Sequence, residues 1–352
     1  MSGHASAGAG LPAVRVAVDL LGGDSAPVAV IDGALLVAEE QPGVQVVLVG
    51  PPDVAACLLA ERGAAGRFEV VAASQVVGMH EEPARAVRSK RDATVRVAAR
   101  LVRDGAADAV VSIGSTGALL AAAVFTVGRL RGIARPALAV VIPARAGPLV
   151  FLDVGASADA TPALLAQFAL AGAALAQVRL GLPDPRVGLL TIGEESGKGD
   201  VLRKQADALL AALPVRYVGS VEGRDVPHGG VADVVVTDGF TGNVLAKGLE
   251  GAASMLTEVL CEAFTSTPER RAAAGELLPV LFEVTDRMSP DAFGGGFLLG
   301  VKGVCVAGHG ASSPRAVASC VAVAAQAVRE GLIPRLTEAL GALVDRHANV
   351  AP

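Results

Sequence analysis

The sequence predicts an α/β protein with a Rossmann-like, mainly parallel sheet and helices on both of its faces. Two observations carry that reading. Apolar runs of four to eight residues recur from residue 14 almost to the end, and they lack the polar alternation of a half-exposed strand. Strands of that kind are covered on both faces, as in a parallel sheet. Longer helical patterns separate the runs, which is the rhythm of βαβ units.

In chain order, the first strand is Val14–Asp19 and a helix follows over Pro27–Glu40, opened by Ser25 and Pro27. Strands Val44–Val49 and Phe68–Ala72 come next, then a helix over Asp92–Asp104, strand Ala109–Ser112 and a helix over Leu119–Arg131. Strands Ala137–Ile142 and Leu149–Asp153 precede a helix over Thr161–Val178, which Thr161 and Pro162 begin. Strand Val187–Ile192, helix Asp200–Leu213, and strands Val215–Val218 and Val234–Thr237 lead into a long helix, Asn243–Phe264. Strand Gly303–Ala307 and helix Pro314–Glu330 close the pattern. No repeat, low-complexity tract or linker interrupts it, so residues 13–340 are expected to form one large unit between tails at 1–12 and 341–352.

One segment, 265–296, breaks the rhythm. A charged patch (Glu269, Arg270, Arg271) precedes the apolar run Leu277, Leu278, Val280, Leu281 and Phe282, and glycines follow. This reads as a helical excursion from the sheet, serving either as a dimer-packing arm or as a membrane-touching hairpin.

Composition narrows the function. With 52% hydrophobic and 18% charged residues, the chain of 352 residues has ample material for a buried core and is no disordered segment. A formal charge of −5, no Trp and one Tyr argue against a nucleic-acid partner. The mean hydropathy of +0.53 invites a membrane reading. Two uncharged windows, Ala109–Gly128 and Ala160–Val178, approach spanning length. The first is broken by Gly-Ser-Thr-Gly, and the second carries Pro162, Gln167, Gly172 and Gln177, so both read as interior elements. The N-terminal residues have neither the basic nor the apolar region of a secretory signal. Cys57, Cys261, Cys305 and Cys320 are far apart, which reads as reduced thiols of a cytoplasmic protein rather than disulfides or zinc ligands.

The chemistry is expected in Gly-rich loops where strands become helices. These are Asp19–Pro27 with Gly22, Gly23 and Asp24; Ser112–Ala118 with Gly114, Ser115, Thr116 and Gly117; and Asp153–Asp159. Gly193–Asp200 follows with Gly197 and Lys198, then Thr237–Asn243 with Asp238 and Gly242, then Gly308–Pro314 with His309. Backbone N–H groups and positive helix ends there can face an anion, and in a doubly wound sheet such loops share one crevice. Known nucleotide fingerprints do not fit. No GxGxxG follows the first strand; Gly193–Gly199 is one residue short of a Walker A spacing, and Gly199 stands where Ser or Thr would bind magnesium. No cofactor is therefore expected. Asp19, Asp24, Asp153 and Asp238 could hold a metal, yet strand-end aspartates are ordinary caps, and no metal is assigned.

A basic stripe runs from Arg85 through Arg88, Lys90, Arg91, Arg96 and Arg100 to Arg103, opposed within it only by Asp92. It would steer an acidic protein partner, or it is a solvated helix face.

These blocks resemble the bacterial phosphate acyltransferases of phospholipid synthesis, the PlsX family. The matching segments are Gly22-Gly-Asp24 with Pro27, Glu82–Arg88 with Lys90-Arg-Asp92, Ser112–Ala118, Arg135-Pro-Ala-Leu138, Leu152–Ala156 and Gly193–Gly199. Val221–Asp225, Asp233–Lys247 with Glu250-Gly251, Phe293-Gly-Gly295 and His309-Gly310 complete the set, in order over nearly the whole chain. The resemblance implies a fold akin to isocitrate dehydrogenases and phosphotransacetylases, a homodimer, and reversible transfer of a fatty acyl group from acyl carrier protein (ACP) to inorganic phosphate. It also implies peripheral membrane association and delivery of acyl phosphate to the glycerol-phosphate acyltransferase PlsY. The family usually has Asn where this chain has Ser115, Ser157 and Ser220, so a two-headed amide is replaced by one hydroxyl.

For that reaction the expected catalytic residues are Lys198, Asp238, Asn243 and His309, with Asn243 or His309 donating to the developing oxyanion. Phosphate and substrate binding is expected at Gly22, Gly23, Asp24, Gly114, Ser115, Thr116, Gly117, Asp153, Gly197, Gly242 and Lys247. Arg88, Lys90 and Arg91 are the expected carrier-protein contacts. The rivals are a phosphotransacetylase using short acyl-CoA, an NAD-dependent decarboxylating dehydrogenase, and a non-catalytic membrane-surface scaffold.

Overall fold

Strand β1 (Val14–Asp19) sets three valines among Arg15, Ala17 and Asp19, and all but Arg15 are buried. In the computed structural model, which describes residues 13–195, 197–288 and 293–348, it lies within one large sheet. The other strands are β2 (Val44–Gly50), β3 (Glu69–Ala72), β4 (Ala109–Ser112), β5 (Ala137–Ile142) and β6 (Leu149–Leu152). They continue with β7 (Arg186–Thr191), β8 (Arg216–Glu222), β9 (Val234–Val236), β10 (Gly296–Leu299) and β11 (Val304–Ala307). Among the described residues the order is β3-β2-β1-β4-β11-β10-β5-β6-β9-β7-β8.

Seven of the ten strand pairings are parallel, which bears out the mainly parallel sheet. The three antiparallel ones sit together at β11-β10-β5-β6. They join two parallel halves that run in opposite directions. Strand β10 is absent from the expected list because its four residues follow the glycines that end the 265–296 excursion.

The helices are α1 (Val28–Glu40), α2 (Pro52–Glu61), α3 (Pro83–Ser89), α4 (Thr94–Arg103) and α5 (Thr116–Ala122), which runs on as a π-helical turn, Ala123–Val127. Then come α6 (Pro162–Arg179), α7 (Val201–Ala211), α8 (Asp225–His228), α9 (Gly239–Thr265), α10 (Pro268–Ala274), α11 (Leu277–Met288), α12 (Pro314–Arg329) and α13 (Leu332–Ala348). One core packs α1, α6, α12 and α13 on one face of the sheet. A second core packs α3, α4, α5 and the first turns of α9 on the other.

Helix α6 takes up most of the uncharged window 160–178 and ends on Arg179, with its Leu, Phe and Ala side chains buried along most of its length. Among the described residues no single helix is long and apolar enough to cross a membrane; the bent pair formed by α12 and the start of α13 passes by composition, and α12 is largely buried against the sheet. The expected start of a tail at 341 falls inside α13, while 1–12 and 349–352 lie outside the described residues. The 265–296 excursion is helical as far as Met288, its residues 289–292 lying outside the described set, and it carries exposed Leu277, Val280 and Phe282; Met255 and Val259 of α9 are exposed as well.

Candidate active site

The loops after β1, β4 and β11 form one cluster. Asp24 N–H donates to Gly310 O at 2.8 Å, and Gly308 N–H donates to Ser112 O at 2.9 Å, so the three loops are stitched to each other. Gly22 and Gly23 are there because the loops touch. A Cβ on Gly22 would lie 2.8 Å from Gly114 N, and one on Gly23, at φ +102°, would lie 2.8 Å from Ile113. Gly114 N–H is already committed to Ser112 Oγ at 3.2 Å.

Ser115 is the N-cap of α5, accepting from Ala118 N–H at 3.4 Å, a role that Asn fills equally well. The next two N–H groups, of Thr116 and Gly117, are first-turn donors with no intrahelical acceptor. His309 is exposed, and Ala311 N–H donates to its Nδ1 at 3.2 Å. The proton of the neutral ring therefore sits on Nε2, which is free to donate.

A second cluster follows β6, β7 and β9. Asp153 is fully buried and accepts from four backbone N–H groups: Leu138, Gly155, Ala156 and Ser157, at 2.7–3.1 Å. Burial pushes its carboxyl above the ordinary value against those four donors. It braces a turn and has little acceptor capacity left for a ligand. Ser157 sits 2% exposed in that turn, its hydroxyl donating to Pro136 O. Gly242 belongs to the same brace, since a Cβ there would meet Asp153 O at 1.9 Å.

Asp238 caps α9, accepting from Thr241 N–H at 2.9 Å, and its other oxygen is held by Arg203 and the Thr241 hydroxyl. Burial pushes this carboxyl up, but Thr241 and the Arg203 guanidinium pull it further down, below its ordinary value. Asp238, expected among the catalytic residues, is held here as the N-cap of α9, the ordinary role of a strand-end aspartate. Asn243 donates one amide hydrogen to Val154 O at 2.9 Å and keeps the other. Lys198 is exposed, with Glu195 3.9 Å away, and Gly197 beside it turns the loop at φ +82°. Lys247 is likewise exposed, paired with Glu250 at 2.8 Å.

The single ring of loops is therefore two clusters. Between β11 and β6 the strand direction reverses, so the two sets of carboxyl ends leave opposite edges of the ladder. Arg203, missed in the sequence, is 11% exposed and holds Asp238, Thr237 and Thr241 together. Nothing in a helical Arg distinguishes it from a solvated one when its partner lies 35 positions away. In the basic stripe Lys90 is spent on Glu81 and Val76 O, and Arg96 on the carbonyls of Val87 and Arg88. Arg88 lies 4.3 Å from the ring centre of half-exposed Phe125, and Arg91 is exposed.

Known proteins match nearly all of the chain. A family model described as "Fatty acid synthesis protein" matches residues 14–335. A phosphate acyltransferase of Desulfitobacterium hafniense (strain DSM 10664 / DCB-2) is 42% identical over 327 residues, covering 93% of this chain and 98% of the relative. One from Heliobacterium modesticaldum is 44% identical over 329 residues, covering 92% and 97%. Among solved structures, a phosphotransacetylase from Streptococcus pyogenes superposes with a TM-score of 0.61 at 17% identity, over 90% of this chain and 94% of that one. A branched-chain phosphotransacylase from Enterococcus faecalis V583 gives 0.55 at 19% identity, over 90% and 99%. At such identities these two share the fold.

Proposed function

Because the chain belongs to the PlsX family of phosphate acyltransferases, enzymes that transfer an acyl group to phosphate, we propose that its donor is a long-chain acyl-ACP and its product an acyl phosphate for phospholipid synthesis. A phosphate oxygen attacks the thioester carbonyl, the C–S bond breaks, and the ACP thiolate leaves as acyl phosphate forms. Phosphate is already anionic at neutral pH and a thiol leaves readily, its pKa being about 8.5 by analogy with cysteine, so placement matters more than a strong base.

The observation that carries this reading is the donor set of the first cluster. The unspent N–H groups of Thr116 and Gly117 suit phosphate, and His309 Nε2–H, on a loop stitched to theirs, suits the oxyanion. Asn243, Lys198 and Lys247 of the second cluster are the further donors. Sheet twist supports a shared cleft: at roughly 20–25° per strand, the five steps from β4 to β9 turn the reversed strands by about 100–125°. With that average twist the two sets of carboxyl ends would diverge by about 55–80° rather than point apart. A nucleophilic cysteine is not needed. Buried Cys305, the one nearest the last loop, has its thiol pushed up to about 12 by burial.

Arg88 and Arg91 are the carrier-protein contacts in this reading, with Lys90 holding their loop through Glu81. The exposed apolar residues of α9 and α11 serve a homodimer and attachment of a cytoplasmic enzyme to the membrane surface, where PlsY would take the product. The test is to offer palmitoyl-ACP and acetyl-CoA separately, each with phosphate. Turnover of palmitoyl-ACP supports the reading, and rapid turnover of acetyl-CoA alone overturns it in favour of a phosphotransacetylase.

A further inference from the structure

Asp19 ends β1 with 3% of its surface exposed, and the mechanism above does not use it. Its carboxylate is a junction. Oδ2 accepts the Ser112 hydroxyl at 2.7 Å, and Ser112 Oγ in turn accepts Gly114 N–H at 3.2 Å. Oδ1 accepts Leu21 N–H at 3.3 Å, and Gly22 N–H and the Thr94 hydroxyl also bond to this group. The acid thus ties the loop after β1, the loop after β4 and the start of α4 into one knot. The knot has no slack, since a Cβ on Gly22 would meet Asp19 Oδ2 at 2.7 Å and Ser112 Oγ at 3.0 Å.

The geometry points to Asp19 as a positioning residue for phosphate: through Ser112 it fixes the 112–117 loop so that the Thr116 and Gly117 N–H groups stay aimed at the anion. This rests on the reading that the loop holds phosphate. An acid is required by donor count, not by charge. Every group that meets Asp19 is a donor, and a carboxylate presents two acceptor oxygens to them. Asparagine has the same shape but turns an NH2 group toward one set of donors, so one arm of the knot must open.

The experiment is Asp19→Asn, measured for the KM of phosphate and of acyl-ACP separately, beside its thermal midpoint. The expected result is a phosphate KM raised by about tenfold or more, with the acyl-ACP KM within about twofold of wild type. A folded Asp19→Asn with an unchanged phosphate KM overturns the inference, as does an effect shared equally by both substrates. If Asp19→Asn does not fold, Ser112→Ala, which cuts the link to Gly114 and spares the carboxylate, carries the same expectation and the same refutation. Normal wild-type turnover beside an unaffected variant sinks this inference alone. A wild type without phosphate-dependent turnover sinks the functional reading and this inference with it.

Discussion

Arg203 of α7 closes on Asp238 at the first turn of α9, and neither side chain is more than 11% exposed. Asp238→Ala removes the cap of α9 and strands the Arg203 nitrogen that faced it. The expected cost is about 3–5 kcal/mol, read as a lower urea midpoint. Replacing both residues by Leu should cost less than Asp238→Ala alone.

Acid titration should report the same pair. The folded-state value of Asp238 lies below the ordinary 3.8. Its contribution is therefore complete above 3.8 and is lost as pH falls through the depressed folded value. Asp19 and Asp153, pushed up by burial, have the opposite sign, and their contribution fades as pH rises through their raised values. Asp238→Asn should flatten the loss of stability below pH 3.8, measured as urea midpoint against pH. An unchanged acid limb would contradict the assignment.

Glycine substitutions separate close approach from mere permissiveness. Gly242→Ala places a methyl group 1.9 Å from the carbonyl oxygen of Asp153, a backbone atom that cannot swing away. A loss of about 3 kcal/mol is expected, together with loss of activity. Gly248→Ala, six residues along the same helix with nothing within 4 Å, should instead gain up to about 1 kcal/mol of stability. Thermal midpoints of the two variants decide it.

His309→Ala should lower kcat by about 10²–10³ with little change in folding, if Nε2–H meets the oxyanion. Asn243→Ala should also disturb the loop that Asn243 braces through Val154 O, so a fall in stability accompanies its kinetic defect. Rate and thermal midpoint measured together distinguish these patterns.

The exposed apolar side of α11 should act in assembly and attachment, not in chemistry. Val280→Asp and Phe282→Asp are expected to reduce sedimentation with anionic vesicles or to shift the elution volume toward a monomer. Turnover of dissolved acyl-ACP should stay near wild type in both.

Much of this arrangement was legible in the sequence. Strands such as Val14–Asp19, Ala109–Ser112 and Ala137–Ile142 stand where their apolar runs do, because burial on both faces makes most of their residues apolar. The reversal of direction left a signal that the loop reading passed over. Only six residues separate Ile142 from Leu149, too few for a parallel crossover, so β5 and β6 had to be antiparallel. That reversal divides the loops between two sets of strand ends, a division the loop reading did not include. Capping was the ordinary reading of strand-end Asp153 and Asp238, but their particular donors, four backbone N–H groups for one and a distant Arg for the other, are displayed by no residue pattern.

The most direct measurement is release of ACP thiol from palmitoyl-ACP, with and without phosphate, alongside quantification of acyl phosphate. The account predicts no thiol release without phosphate, one acyl phosphate per thiol with it, and a higher phosphate requirement in Lys198→Ala. A burst of thiol in the absence of phosphate, leaving the acyl group on the protein, would contradict direct attack.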